Sequence, residues 1–160
     1  MDKTPCEKML EEEKRAVPVL FRVTYDRLLD LLTSAFEGGC SRSWIECVHL
    51  QDGDSWKDQP KGKATYIQEV PFLGGTLYIE PCEDPGDTTR KASSEKVSET
   101  QTGPVWTLTI DTITAGILTM SKLEEGEGGH HIHNFLREND DAETGDVFLQ
   151  CCLFGEIVFG

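Results

Sequence analysis

Residues 24–39 read TYDRLLDLLTSAFEGG and carry the strongest helical signal in the chain. Thr24 is a good N-cap, and Asp26 lies in the first turn, where the helix dipole favours a negative charge. Gly38 and Gly39 end the helix, because glycine adopts the left-handed conformation without a steric penalty from a Cβ atom. The pattern predicts a helix over residues 25–37, whose apolar face consists of Leu28, Leu29, Leu31, Leu32, Ala35 and Phe36.

On the N-terminal side, residues 1–18 are rich in charge and are predicted to form a helical extension or a frayed tail. Residues 19–23 alternate between apolar and polar and predict a short lead-in strand. After the helix, further alternating runs are separated by turn residues. They predict short antiparallel strands arranged as a meander, at residues 43–50, 63–70, 76–80 and 105–110.

Residues 82–103 interrupt this pattern with CEDPGDTTRKASSEKVSETQTG, in which Val97 is the one strongly apolar aliphatic residue. Such a polar segment buries little surface to offset the entropy of ordering it. We therefore expect a flexible loop or a hairpin tip over residues 82–103.

The C-terminal third is predicted to be helical. Asp111 caps a helix over residues 112–122, with Ile113, Ile117, Leu118 and Met120 on its buried side. A second short helix lies in residues 130–139, and a last one starts at Asp141 or Thr144 and ends at Gly155. The order of elements predicts one α+β domain over residues 1–160, with a short antiparallel sheet, an N-terminal helix and a helical C-terminal third.

The charge balance limits the kinds of partner. The chain has 160 residues and a formal net charge of −14 at pH 7. Proteins that bind DNA or RNA need a basic face to displace counterions, and an acidic chain is repelled by polyanions and anionic membranes alike. We therefore expect no DNA or RNA polymer and no membrane as partner. A small phosphorylated ligand stays open, because a few arginines and a helix N-terminus are enough to hold one phosphate.

Cysteine usage bears on the compartment. None of the six cysteines lies in a CxxC pair, and Cys151 and Cys152 are adjacent in what reads as a buried apolar helix, which predicts inert thiols. The first residues lack a basic start followed by an apolar core, and no apolar run approaches the roughly 18 residues of a membrane span. We expect reduced thiols in a cytoplasmic protein.

Histidines 130, 131 and 133, followed by Asp140 and Asp141, are the most obvious chemical cluster. His130 and His133 share a helix face and suit zinc, iron or manganese, although further ligands would have to come from residues such as Asp140 or His49. The alternative is a solvated helix start, since helix starts favour polar residues. No nucleophile elbow and no glycine-rich phosphate loop is present, so we expect neither an enzyme nor a cofactor.

Two features favour an anion site. Trp44 and Arg42 lie beside the end of the first helix, where they suit stacking on a base and pairing with a phosphate, and Arg137 is a second candidate. A tryptophan is, however, more often part of a core or an interface than of a ligand site. The acidic run of residues 138–146 is explained by capping and solvation, or by a subunit contact to Arg22, Arg27 or Arg42.

The helix end AFEGG with Trp44 after it (residues 35–44) and the segment ENDDAETGDVFLQCCLFGEIVFG (residues 138–160) are distinctive in combination. Together they resemble a family of small proteins encoded by tailed phages and prophages. Members of that family have AxEGG, a short spacer and an aromatic-Trp pair, followed near the end by an acidic run, a Gln and LFG before a terminal Gly. Ser43 departs from the pattern, because an aromatic residue is expected before the Trp, and the spacer is about one residue longer. The matching residues here are Glu37, Gly38, Gly39, Trp44, Asp140, Asp141, Asp146, Gln150, Leu153, Phe154, Gly155 and Gly160.

In size and layout the family is similar to phage anti-defence sponges, particularly the Thoeris anti-defence proteins. The resemblance implies a homo-oligomer in the host cytoplasm that holds a cyclic ADP-ribose-type signal, or a cyclic oligonucleotide, at a subunit interface without turnover. It implies a positive pocket lining drawn from Arg22, Arg27, Arg42 or Arg137, and Trp44 is a further candidate for ligand binding. Two alternatives are an acidic phage accessory protein that binds and inhibits a host protein, and a metal-dependent enzyme built on the histidine cluster.

Overall fold

A computed structural model describes residues 20–160, so the predicted extension over residues 1–18 and Val19 lie outside the described residues. Three short 3₁₀ helices cover Ser41–Ser43, Ile67–Leu73 and Glu125–Glu127. The α-helices are α1 (Tyr25–Glu37), α2 (Ile110–Ser121), α3 (His130–Leu136) and α4 (Ala142–Phe154). The strands are β1 (Ile45–His49), β2 (Asp58–Gln59), β3 (Gly62–Lys63), β4 (Leu77–Pro81) and β5 (Trp106–Leu108).

Helix α1 has the predicted bounds and caps. The Thr24 hydroxyl accepts a hydrogen bond from the Arg27 backbone N–H, and the Gly38 N–H donates to the Ser34 carbonyl. Gly39 follows with φ of +91°, a conformation that favours glycine. The α+β class is confirmed, with α1 before a small antiparallel sheet and three helices after it.

The sheet is three-stranded in the order β1-β4-β5, and both neighbouring pairs are antiparallel. β2 and β3 form a separate two-stranded hairpin. The predicted strand over residues 63–70 is wrong beyond Lys63, because Ile67–Leu73 form a 3₁₀ helix. The Glu69 carboxylate accepts from the Tyr66 N–H and so caps the start of that turn, and Pro71 has no N–H to give to a ladder.

Residues 20–24 form no strand, so the predicted lead-in strand is absent from its described part, residues 20–23. The prediction rested on alternation alone, over too few residues to distinguish a strand from an extended connection.

Helix α4 is the centre of the core, with every residue from Val147 to Phe154 buried. Helices α1 and α2 pack against it through glycines. A Cβ atom on Gly116 of α2 would lie 2.8 Å from the Cα of Cys152, and one on Gly145 of α4 would lie 2.7 Å from the Ala35 nitrogen of α1. The absence of side chains at these contacts lets the helix backbones approach closely.

Two helix details correct the sequence prediction. Helix α2 is capped by Thr109 instead of Asp111, because the Thr109 hydroxyl accepts from the Thr112 N–H and leaves Asp111 in the first turn. Leu118, predicted to be buried, is 55% exposed. For α4 the cap is Asp141, one of the two predicted alternatives, and Gly155 ends the helix with φ of +74° as predicted.

Residues 82–103 form neither an α-helix nor a strand of the sheet, apart from an isolated bridge between Ser93 and Val105. The segment nevertheless contacts the core. Val97 is buried, the Arg90 N–H donates to the Phe154 carbonyl at 2.8 Å, and the Trp106 indole N–H donates to the Arg90 carbonyl at 3.0 Å. The predicted flexibility of this segment stays a prediction.

Candidate functional site

An apolar groove of about 670 Å³ lies where the chain before α1 meets α2 and α3. Its walls come from residues 20–28, from the C-terminal half of α2 and from the region of residues 123–136. The polar side chains among the lining residues are Thr114, Ser121, Glu125 and His133, besides the hydroxyl of Tyr25. The remaining lining residues are Leu20, Phe21, Val23, Leu28, Ile117, Leu118, Leu123, Gly129, Ile132 and Leu136.

Large apolar side chains remain exposed around this groove. Phe21 is 62% exposed, Tyr25 is 59% exposed, and Leu20 and Leu118 are also exposed. A monomer rarely leaves such a group of large apolar side chains together on its surface without a binding role. The groove is therefore a candidate binding site.

Two of the predicted arginines flank the groove along the chain. Arg22 lies between the lining residues Phe21 and Val23, and Arg137 directly follows the lining residue Leu136. Both arginines are exposed. Neither arginine side chain is among the lining residues, so the two are neighbours of the groove along the chain, in a molecule whose net charge is −14.

Arg27 connects α1 to the region of α3. Its guanidinium donates to the Phe135 carbonyl at 3.0 Å and to the Asp140 carboxylate at 2.8 Å, and it lies over the Phe135 ring at 4.8 Å from the centroid. The hydrogen bond to Asp140 raises the pKa of Arg27. The Nη2 group of Arg27 therefore already has protein partners, and these contacts hold α1 against the region of α3.

Arg42 and Trp44 lie elsewhere. They follow the C-terminal end of α1, whereas the groove lies at its N-terminal end, about 20 Å away along a 13-residue helix. Trp44 is buried, donates its indole N–H to Asp146 at 2.7 Å and stacks on Phe159 with ring centroids 5.2 Å apart. The five predicted ligand residues therefore do not form one site, and a ligand role for Arg22 and Arg137 stays a prediction.

The residues that carry the phage resemblance meet inside the fold. Asp146 accepts hydrogen bonds from Trp44, from the Ser41 hydroxyl at 2.9 Å and from the Gln150 amide at 2.9 Å. The Gln150 side chain in turn holds Val158 and Phe159 of the C-terminal segment. This network fixes helix α4, the turn after α1 and the chain end relative to one another, which is a structural role.

The histidine cluster divides into separate environments. His131 is buried, and its Nδ1 lies 3.0 Å from the Thr144 hydroxyl. Burial, and then the neighbouring His130, lowers the pKa of His131. His133 lines the groove, and Asp140 is paired with Arg27. Among residues 20–160, no group of three or more His, Cys, Asp or Glu side chains is placed to hold a metal ion.

Comparison with protein-family models, with curated proteins and with solved structures yields no match to this chain. Within the part of the chain that the structure describes, no helix has the length and apolar character needed to cross a membrane. The groove itself was not foreseen from the sequence. Three large side chains in the sequence could have indicated it. They are Leu118, on the outer side of α2, and Phe21 and Tyr25, just before and at the start of α1.

Proposed function

We propose that the protein is a phage anti-defence protein that binds a cyclic nucleotide immune signal in the apolar groove and sequesters it in the host cytoplasm without turnover. The observation that supports this proposal is an apolar cleft whose lining residues are followed or interrupted in the chain by the exposed Arg22 and Arg137, in an otherwise acidic molecule. The ligand would be of the cyclic ADP-ribose type or a cyclic oligonucleotide.

The chemistry of the groove fits such a ligand in two respects. A volume of about 670 Å³ is in the usual range for small-molecule sites, and the exposed rings of Phe21 and Tyr25 offer faces on which a nucleobase stacks. Arginine side chains hold phosphates through charge-assisted, often bidentate hydrogen bonds. Glu125, on the lining, repels phosphate, which favours an orientation with the phosphates towards the arginines.

The groove also supports the proposed homo-oligomer. Leu20, Phe21, Tyr25 and Leu118 would be covered if a second copy packed on this face, and burial of apolar area is the main driving force of association. A ligand held between two copies would be enclosed on both sides. Sequestration requires this kind of slow release, since affinity is governed mostly by the dissociation rate.

Native mass spectrometry with cyclic ADP-ribose isomers and cyclic oligonucleotides tests the proposal. We expect a defined oligomer that gains an integral number of intact nucleotides. Arg22→Glu and Arg137→Glu are each expected to weaken binding about tenfold or more, the loss of one charge-assisted contact. Arg42→Glu is the matched control, because it makes the same charge change at an exposed position beyond the other end of α1.

The melting temperature provides a second readout, since a ligand that binds only the folded state raises it. No adduct and no thermal shift at micromolar ligand, across the whole panel, would contradict the proposal for these ligands. Equal loss of binding in Arg42→Glu and Arg137→Glu would show a general charge effect and remove the groove from the proposal.

A host protein is the second candidate ligand. The exposed apolar side chains around the groove, together with the net charge of −14, are typical of a surface that binds a basic partner. This function would be favoured by a purified host protein that binds the wild type at low salt. Its binding should be lost in the Leu118→Asp variant, and also for the wild type at high salt. Binding that is unchanged in Leu118→Asp would exclude the groove as the interface.

A further inference from the structure

Cys47, His49 and Glu80 form a chemical cluster on one face of the sheet, apart from the groove. His49 Nε2 lies 2.6 Å from Glu80 Oε2, and His49 Nδ1 lies 3.9 Å from the Cys47 sulfur. His49 and Glu80 are both buried, whereas Cys47 is half-buried. Residues 97–102 cover this face, with the Thr102 N–H and hydroxyl both donating to Glu80 Oε1.

The protonation of His49 follows from its partners. Burial raises the pKa of Glu80, but the hydrogen bonds from Thr102 and His49 outweigh it, and the net effect is a lowered pKa. Glu80 is therefore an ionised acceptor, which places the imidazole proton on Nε2. Nδ1 is left as an acceptor that faces the Cys47 thiol, whose sulfur also lies 3.8 Å from the Val48 carbonyl. The three side chains have the order of a nucleophile, a base and an orienting group.

The other groups around His49 are mostly uncharged. Tyr78 is its register partner on β4, and the Thr100 hydroxyl lies 3.5 Å from Nδ1. The nearest acidic residue in the covering segment, Glu99, is exposed, and its backbone N–H donates to the Asp52 carboxylate. Glu80 is thus the carboxylate in contact with the ring, and it stabilises the imidazolium that forms when Nδ1 takes a proton.

We propose that Cys47 is a nucleophilic thiol and a site of reversible modification by low-molecular-weight disulfides. The Cys47 thiol gives its proton to His49 Nδ1, and the thiolate attacks one sulfur of the disulfide. A new S–S bond forms to Cys47 as the old one breaks, and the leaving thiolate takes the proton from the imidazolium. Cys47 is oxidised to a mixed disulfide, and the other half of the attacked disulfide is reduced to a thiol.

The remaining described cysteines lack this arrangement and act as internal references. Cys40 and Cys82 are exposed thiols, and the Cys82 thiol donates to the Ser43 carbonyl at 3.5 Å. Burial raises the pKa of Cys151 to about 12 and raises that of Cys152 well above its ordinary value, so neither provides a thiolate at neutral pH.

The test treats the native protein with oxidised glutathione and measures modification of each cysteine by peptide mass spectrometry. At about pH 6, where an unperturbed thiol is almost fully protonated, Cys47 is expected to react at least about tenfold faster than Cys40 or Cys82. Across this range the rates at Cys40 and Cys82 should rise about tenfold per pH unit, whereas the rate at Cys47 should depend less steeply on pH.

His49→Gln separates a positioning role from a structural one. It is expected to bring the rate at Cys47 down to that of Cys82, and Glu80→Gln is expected to lower it in part. If either variant does not fold, Thr100→Val tests the site instead, because it removes the competing hydroxyl at Nδ1 and should leave or raise the rate. Equal rates and equal pH dependence for Cys47 and Cys82 in the wild type would overturn the proposal.

Discussion

Replacing Gln150 by Leu is expected to detach the C-terminal segment from helix α4. Gln150 is fully buried, and its side-chain oxygen accepts from the Val158 and Phe159 N–H groups, each at 2.8 Å. Its amide group donates to the Phe159 carbonyl at 3.0 Å and to Asp146 at 2.9 Å. Leu has a similar volume but provides none of these hydrogen bonds.

The magnitude follows from the bonds that are lost. A hydrogen bond contributes about 1 kcal/mol net, and a buried group left without a partner costs about 1–3 kcal/mol. If the segment detaches to hydrate its N–H groups, the stacking of Phe159 on Trp44 and its edge contact with Phe154 are lost instead. Either response gives a loss of about 3–4 kcal/mol in the free energy of unfolding, from a total of about 5–15 kcal/mol.

Urea unfolding followed by tryptophan fluorescence measures this change, with Trp44 beside the perturbed segment. Gln51→Leu is the matched control, because it makes the same substitution at an exposed position. The m-values of wild type and variant are compared as well, because a segment that is already detached exposes less new surface on unfolding and lowers the m-value. A loss below about 1 kcal/mol, or one equal to the control, would refute the structural role assigned to Gln150.

Gly116→Ala is expected to destabilise the protein by about 2 kcal/mol or more, because the new Cβ atom meets Cys152, while Gly126→Ala, with open space around it, should be neutral in urea unfolding. Burial lowers the pKa of His131 below its ordinary value of 6.5, so the unfolded chain binds this proton more readily and stability falls as the pH drops through about 6.5. The His131→Gln variant should lack this contribution, so its free energy of unfolding should fall less than that of the wild type between about pH 7.5 and 5.5. Iodoacetamide at about pH 8 should leave Cys151 unmodified in the native protein and label it once urea unfolds the chain, as read by mass spectrometry.

The placement of the resemblance residues changes how the resemblance supports a function. Trp44, Asp146 and Gln150 are joined by hydrogen bonds in the core, and Gly38 packs against Ala142 at the start of α4. Such residues specify how α4 sits against its neighbours. A ligand preference would have to come from the groove, whose residues lie outside the shared motif, so binding experiments on groove variants are the ones that decide the function.

The sequence by itself determined the elements with strong local signals. Helix α1 has its cap at Thr24 and its stop at Gly38 and Gly39, and α4 has its left-handed end at Gly155, whereas the sequence left the cap of α4 open between Asp141 and Thr144. Caps and glycine stops act through backbone groups a few residues away, so they are readable without tertiary contacts. The α+β order and the high pKa of the buried Cys151 followed from the same local patterns.

Tertiary structure alone decided which side chains meet. Leu118 lies on the surface although its spacing suits a core. The 3₁₀ helix at Ile67–Leu73 is a different case, because its cap at Glu69 is local and the alternation pattern did not indicate it. Arg27 pairs with Asp140 across more than a hundred residues, and His49 meets Glu80 across the sheet. Such pairs depend on how whole elements pack, and short-range periodicity carries no information about distances between elements that are far apart in the chain.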